Sequence, residues 1–138
     1  MTNNTEVKIL IINSEETESK ALLEMLHNKG YTSFAVNTGL LALTHLERNP
    51  VHLVLLDCNI PDMKYTEVMD VLTQQHPKIA VVVLSNNGDI RNAIQTIKHG
   101  AYDFIAKPFS IESLTESSAF NPERLARAII SPTFRPPD

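Results

Sequence analysis

The sequence predicts an α/β fold, a doubly wound five-stranded parallel sheet with helices on both faces. Three observations predict it. Five short, largely apolar runs recur along the 138 residues, and those at 7–12, 53–56 and 79–84 are too continuous for strands with one wet face. Amphipathic segments with apolar residues at helical spacing lie between the runs. Caps and stops built from Gly, Pro, Asn or Ser separate the elements.

The first run, residues 7–12, is β-branched and leucine-rich and reads as a buried strand. Asn13 or Ser14 is placed to cap the helix that follows, with Glu15, Glu16 and Glu18 near its positive end. Leu22, Met25 and Leu26 share one face of that helix, which stops at Lys29-Gly30. Residues 31–36 form a weaker second strand. Asn37 or Thr38 caps a helix carrying Leu40, Leu43 and Leu46, closed by Asn49-Pro50. Leu53 to Leu56 is the third strand. A turn through Pro61 leads to a helix with Val68, Val71 and Leu72, ended by His76-Pro77. Residues 79–84 are the fourth strand. Asp89 caps a helix with Ile90, Ala93, Ile94 and Ile97 at i, i+3, i+4 and i+7, ended by His99-Gly100. Residues 102–106 are the fifth strand, stopped by Pro108.

The chain after that strand is less regular. A helix starts at residues 110–114 and is poorly sustained by Ser117, Ser118 and Phe120. Asn121-Pro122 restarts it, and Leu125, Ala126, Ile129 and Ile130 form an apolar stripe. The expected organisation is one domain over residues 1–130, with a core at 7–114, and a loose proline-rich tail at 131–138.

Composition narrows the function classes. The net charge of −4 gives no broad basic field for nucleic acid. Cys58 is the sole cysteine, so no internal disulfide forms and a reducing compartment fits. The first residues lack the layout of a signal peptide, and no apolar run is long enough to span a bilayer. A cytoplasmic protein without membrane contact is expected.

In a doubly wound sheet, ligands bind outside the carboxyl ends of the strands. Asn13, Asp57, Ser85 and Lys107 all lie at such ends. Phosphoryl transfer needs a nucleophile and compensation for charge on the phosphoryl oxygens. Asp57 suits the first need and would give an acyl phosphate. Lys107 suits the second as a point charge, and the Ser85 hydroxyl can bond another oxygen. The carbonyl of Asn59 can serve a metal, with Asp57 and the amide oxygen of Asn13 as further oxygens. An isolated aspartate at a strand end is ordinarily a loop cap; its company with Ser85 and Lys107 favours chemistry here. The five histidines are scattered without metal-ligand spacing and read as surface or helix-end residues. Cys58 points away from Asp57 by strand alternation and reads as a buried thiol.

This pattern resembles the receiver domain of bacterial two-component response regulators over residues 7–114. The matching motifs are Lys8-Ile9-Leu10-Ile11-Ile12, Leu53-Val54-Leu55-Leu56-Asp57, Ile60-Pro61-Asp62-Met63, Val82-Val83-Leu84-Ser85 and the run from Gly100 through Lys107-Pro108-Phe109. The resemblance implies a flavodoxin-like (βα)5 fold. It implies Asp57 as phosphoacceptor, Ser85 as switch hydroxyl, Lys107 as the site lysine and Phe104 as switch aromatic. A sensor histidine kinase or phosphotransfer protein is the implied partner, with a homodimer through the last-helix face. Asn13-Ser14 stands where the family usually has an acidic pair, so Mg²⁺ binding is expected to be weak or absent, with Glu15 or Glu16 as compensating acids. Tyr65 replaces a glycine, and Asn86 replaces a small residue beside Ser85, narrowing access to Asp57.

Three readings follow. The first is a receiver phosphorylated on Asp57 that switches a protein-interaction face, with no catalytic activity beyond self-phosphorylation from small donors and autodephosphorylation. The second is an atypical receiver that docks proteins independently of phosphorylation. The third, a flavodoxin-like cofactor-binding enzyme, lacks a phosphate loop after the first strand.

Overall fold

The computed structural model describes residues 7–85 and 90–107, without the side chains of residues 90–93. It contains β1 (Lys8–Ile12), α1 (Glu16–Asn28), β2 (Thr32–Val36), α2 (Gly39–Arg48), β3 (Leu53–Asp57), α3 (Tyr65–Gln75), β4 (Ala80–Ser85), α4 (Ile90–Lys98) and β5 (Asp103–Ala106). The strands make one parallel sheet in the order β2-β1-β3-β4-β5. This is the predicted doubly wound sheet, and its order reverses between β1 and β3.

Side-chain alternation divides the core in two. Ile9, Ile11, Leu53, Leu55, Val82 and Leu84 pack with Leu22, Met25 and Leu26 of α1. Leu10, Ile12, Val54, Leu56, Val81 and Val83 face the other way, against Ala42 and Leu46 of α2 and Val68, Met69 and Leu72 of α3. Burial on both faces explains why the central strands read as unbroken apolar runs.

Four details correct the helix readings. The α1 N-cap is Glu15, which makes no side-chain cap; the Asn13 amide oxygen instead accepts from the Glu15 N–H at 2.9 Å. In α2, Leu40 is 64% exposed, and Gly39, Ala42 and Leu46 face inward. The small inner face has a cause, because a Cβ on Gly39 would stand 2.6 Å from the Met63 sulfur. In α3, Met69 is buried where Val71 is half-buried. In α4, Ile94 and Ile97 are half-exposed and Thr96 is fully buried. The expected Asp89 cap, Asn86, the stripe Leu125, Ala126, Ile129 and Ile130, and the tail at 131–138 lie outside the described residues.

The α4 C-terminus is fixed by Gly100, whose φ is 102°. The Gly100 N–H bonds the Ile97 carbonyl and the Ala101 N–H bonds the Thr96 carbonyl, which closes the helix. A Cβ at Gly100 would run into the Thr73 methyl on α3. Gly100→Ala should therefore combine left-handed strain with a clash. We expect it to lower stability by at least about 1 kcal/mol in denaturant titration.

Asp62, in the loop after β3, caps α2 from outside. Its two carboxylate oxygens accept from the Gly39 N–H at 2.8 Å and the Leu40 N–H at 2.9 Å. Those two bonds hold the Asp62 carboxyl below its ordinary value. A carboxyl depressed by folding contributes stability above its unfolded value of 3.8, and that contribution is lost as pH falls through the folded value. The melting points of the natural protein and Asp62→Ala should therefore differ near neutrality and converge on acidification below that pH. A constant gap down to the lowest pH would refute the capping account.

Candidate functional site

Parallel pairing brings the strand ends together and fixes which way their side chains point. Asp57 continues the parity of Leu53 and Leu55, and Lys107 that of Ile105, so both project toward the α1 side. Cys58 has the opposite parity and packs half-buried against the second core face, so the expected direction holds but full burial does not.

Asp57 is 2% exposed. Its Oδ1 accepts from the Asn59 N–H at 2.9 Å, and its Oδ2 lies 2.7 Å from Lys107 Nζ. The Lys107 N–H bonds the Ser85 carbonyl at 2.6 Å, tying the end of β5 to the end of β4. Ser85 is itself buried at that end. Phe104 is half-buried on the opposite face of β5. The structure therefore brings Asp57, Ser85 and Lys107 together at the carboxyl edge of the sheet.

Glu18 also reaches the site. It is three residues into α1, and its Oε1 stands 2.6 Å from Lys107 Nζ and 2.5 Å from the Asn13 amide nitrogen. The expected compensating acids do otherwise. Glu15 is exposed at the helix cap, and Glu16 pairs with Lys20 along the outer face of α1. Helical spacing carries the signal for Glu18. It precedes the buried Leu22 and Met25 by four and seven residues, which puts it at the inward edge of the helix.

The result is a closed polar ring. Asn13 donates to Glu18, Lys107 bridges Glu18 and Asp57, Asp57 accepts from Asn59, and the Ser14 hydroxyl donates to the Asn59 carbonyl at 3.3 Å. Asn13 is buried, and its amide oxygen is committed to the Glu15 N–H. Burial disfavours the Lys107 ammonium, but the hydrogen bonds and charges of Asp57 and Glu18 outweigh it and raise its pKa above the ordinary lysine value. At 10% exposure this ammonium is a fixed charge at physiological pH.

The response regulator receiver domain family matches residues 9–119, and the chain belongs to that family. Receiver domains are regulatory modules that interact with histidine kinases or phosphotransfer proteins, and they generally bind Mg²⁺ at the phosphorylation site. The chain is 32% identical over 108 residues to the nitrogen assimilation regulatory protein NtrX of Azorhizobium caulinodans. The match covers 77% of this chain and only 24% of that regulator's length. A receiver domain protein from Clostridium thermocellum superposes with a TM-score of 0.77 at 26% identity, over 87% of this chain and 98% of that one. A CheY-like receiver protein from Methanospirillum hungatei shares the fold at a TM-score of 0.79 and 23% identity, over 89% of this chain and 96% of that one. Among the described residues, no helix is long and apolar enough to cross a membrane.

Proposed function

We propose that the chain accepts a phosphoryl group on Asp57 from a sensor histidine kinase or a phosphotransfer protein and thereby switches a protein-interaction face. The observation that carries this reading is the buried contact of 2.7 Å between Asp57 and Lys107 at the converged strand ends. An Asp57 oxygen attacks phosphorus, the phosphorus–nitrogen bond of the donor phosphohistidine breaks, and the imidazole leaves with the electron pair and takes up a proton. Lys107 balances charge on one phosphoryl oxygen, and the Ser85 hydroxyl bonds another. Phe104 then repacks, which alters the surface around α4, where Ile94 and Ile97 are exposed.

Mg²⁺ binding is weak or absent in the same reading. Mg²⁺ asks for an octahedral set of oxygens, usually with one or two carboxylates. Here the Asn13 oxygen serves a backbone N–H, and both Asp57 oxygens have partners, one of them an ammonium. The residues present fit an internal cation better than a divalent one.

The closed ring around Asp57 also favours a second reading, a receiver that docks its partner without phosphorylation. Intact mass after incubation with acetyl phosphate, and separately with a phosphorylated histidine kinase, decides between them. A gain of one phosphoryl group is expected. No gain from either donor, with or without Mg²⁺, would leave the docking module.

A further inference from the structure

The site retains a lysine but lacks the first-strand acids, and Glu18 enters from a different element. We propose that Glu18 is the positioning residue of this site, its carboxylate clamping the Lys107 ammonium against Asp57 so that an internal cation occupies the position between two carboxylates. The proposal takes Asp57 as the acceptor and concerns how its neighbouring charges are arranged before any donor arrives.

The geometry points to this role in three ways. One ammonium contacts both carboxylates, at 2.6 Å and 2.7 Å, so any divalent ion seeking the same pair must displace it. Glu18 is itself held, because the Asn13 amide donates to the same oxygen that meets Lys107. Asn13 is held in turn by its bond from the Glu15 N–H and by the Val36 carbonyl, which accepts from the Asn13 N–H at 3.0 Å. An aspartate at position 13 would repel Glu18, whereas the asparagine present donates to it. The loss of the strand acid and the inward turn of Glu18 are thus parts of one arrangement.

The test needs no phosphodonor, so its failure is separable from a failure of Asp57 to be labelled. Mg²⁺ affinity is measured by calorimetry on the natural protein, Lys107→Met, and Lys107→Met combined with Glu18→Gln or with Glu16→Gln. Lys107→Met should bind Mg²⁺ at least about tenfold more tightly, because it vacates the position between two carboxylates. Glu18→Gln in that background should remove the gain. Glu16→Gln should keep it, since Glu16 carries the same charge on the outer face of the helix. No gain in Lys107→Met, or equal effects of the two glutamine changes, would overturn the proposal. Should Lys107→Met not fold, Glu18→Gln alone gives a second readout. The Lys107 ammonium protons, slow to exchange when clamped, should appear in nitrogen-15 NMR of the natural protein and exchange markedly faster in the variant, where Asp57 alone still holds them. An unchanged exchange rate would equally refute the clamp.

Discussion

Asp57→Asn is expected to abolish phosphoryl labelling completely. The natural protein should gain one phosphoryl mass from a phosphorylated kinase, and the variant none. The other described aspartates are committed elsewhere. Both oxygens of Asp62 are taken up by the start of α2, Asp70 meets His99 at 3.3 Å, and Asp103 accepts from the Phe104 N–H. Among the described residues only Asp57 combines a strand-end carboxylate with a lysine in contact. An amide in its place is a poor nucleophile and leaves Lys107 bound to Glu18 alone. The variant should nonetheless fold, since the amide still offers an oxygen to the Asn59 N–H. Circular dichroism on the same sample separates lost chemistry from lost structure. Labelling that persists on another aspartate would sink the assignment.

The central strands β1, β3 and β4 were legible because double-sided burial leaves a simple mark, a nearly unbroken apolar run, and the edge strands β2 and β5 by their place between helix stops and caps. All five fall within a residue or two of their predicted places. Helix ends were legible where geometry demands a residue type, as at Gly30 and Gly100, both at positive φ. Helix faces were less so. Leucines at 40, 43 and 46 look like an inner stripe, and Leu46 is buried with Leu43 packed beside it, but Leu40 is exposed and the inner face runs instead through Gly39, beside the Met63 side chain, and Ala42. Thr96, a polar residue at a fully buried position of α4, has no signature in an apolar count.

The site shows the same division. Asp57, Ser85 and Lys107 follow from strand ends alone, because a parallel sheet must bring those ends together. Glu18 does not, since it arrives from a helix and reaches the site only through the parity that aims Asp57 and Lys107 at α1. A search confined to the residues after β1 finds Glu15 and Glu16 first. Spacing from Leu22 identifies Glu18, provided the helix face is considered together with the strand ends.

Replacing Asn13 and Ser14 by aspartates should convert the site into a divalent-ion site. At position 13 the aspartate can keep its bond from the Glu15 N–H, but its second oxygen replaces the amide nitrogen that now donates to Glu18. Two carboxylates then face each other beside Asp57, a further one replaces the Ser14 hydroxyl that now meets the Asn59 carbonyl, and one ammonium is left to serve all four. A divalent ion relieves that repulsion. Unit charges about 4 Å apart interact by roughly 4 kcal/mol at the effective dielectric near a protein surface. A fraction of that per added acid suffices for a gain of at least about tenfold in Mg²⁺ affinity, and labelling by acetyl phosphate should accelerate with it. Calorimetric titration of both proteins measures the first effect, and a time course of intact mass measures the second. Without Mg²⁺ the same double change should lower the melting temperature, because the added charges have no partner; with saturating Mg²⁺ the loss should be recovered. If the natural protein already binds Mg²⁺ as tightly as the double variant, Glu18 must release Lys107 readily and act in place of the missing acids. The site would then work with a metal after all, its second carboxylate supplied by α1 instead of β1.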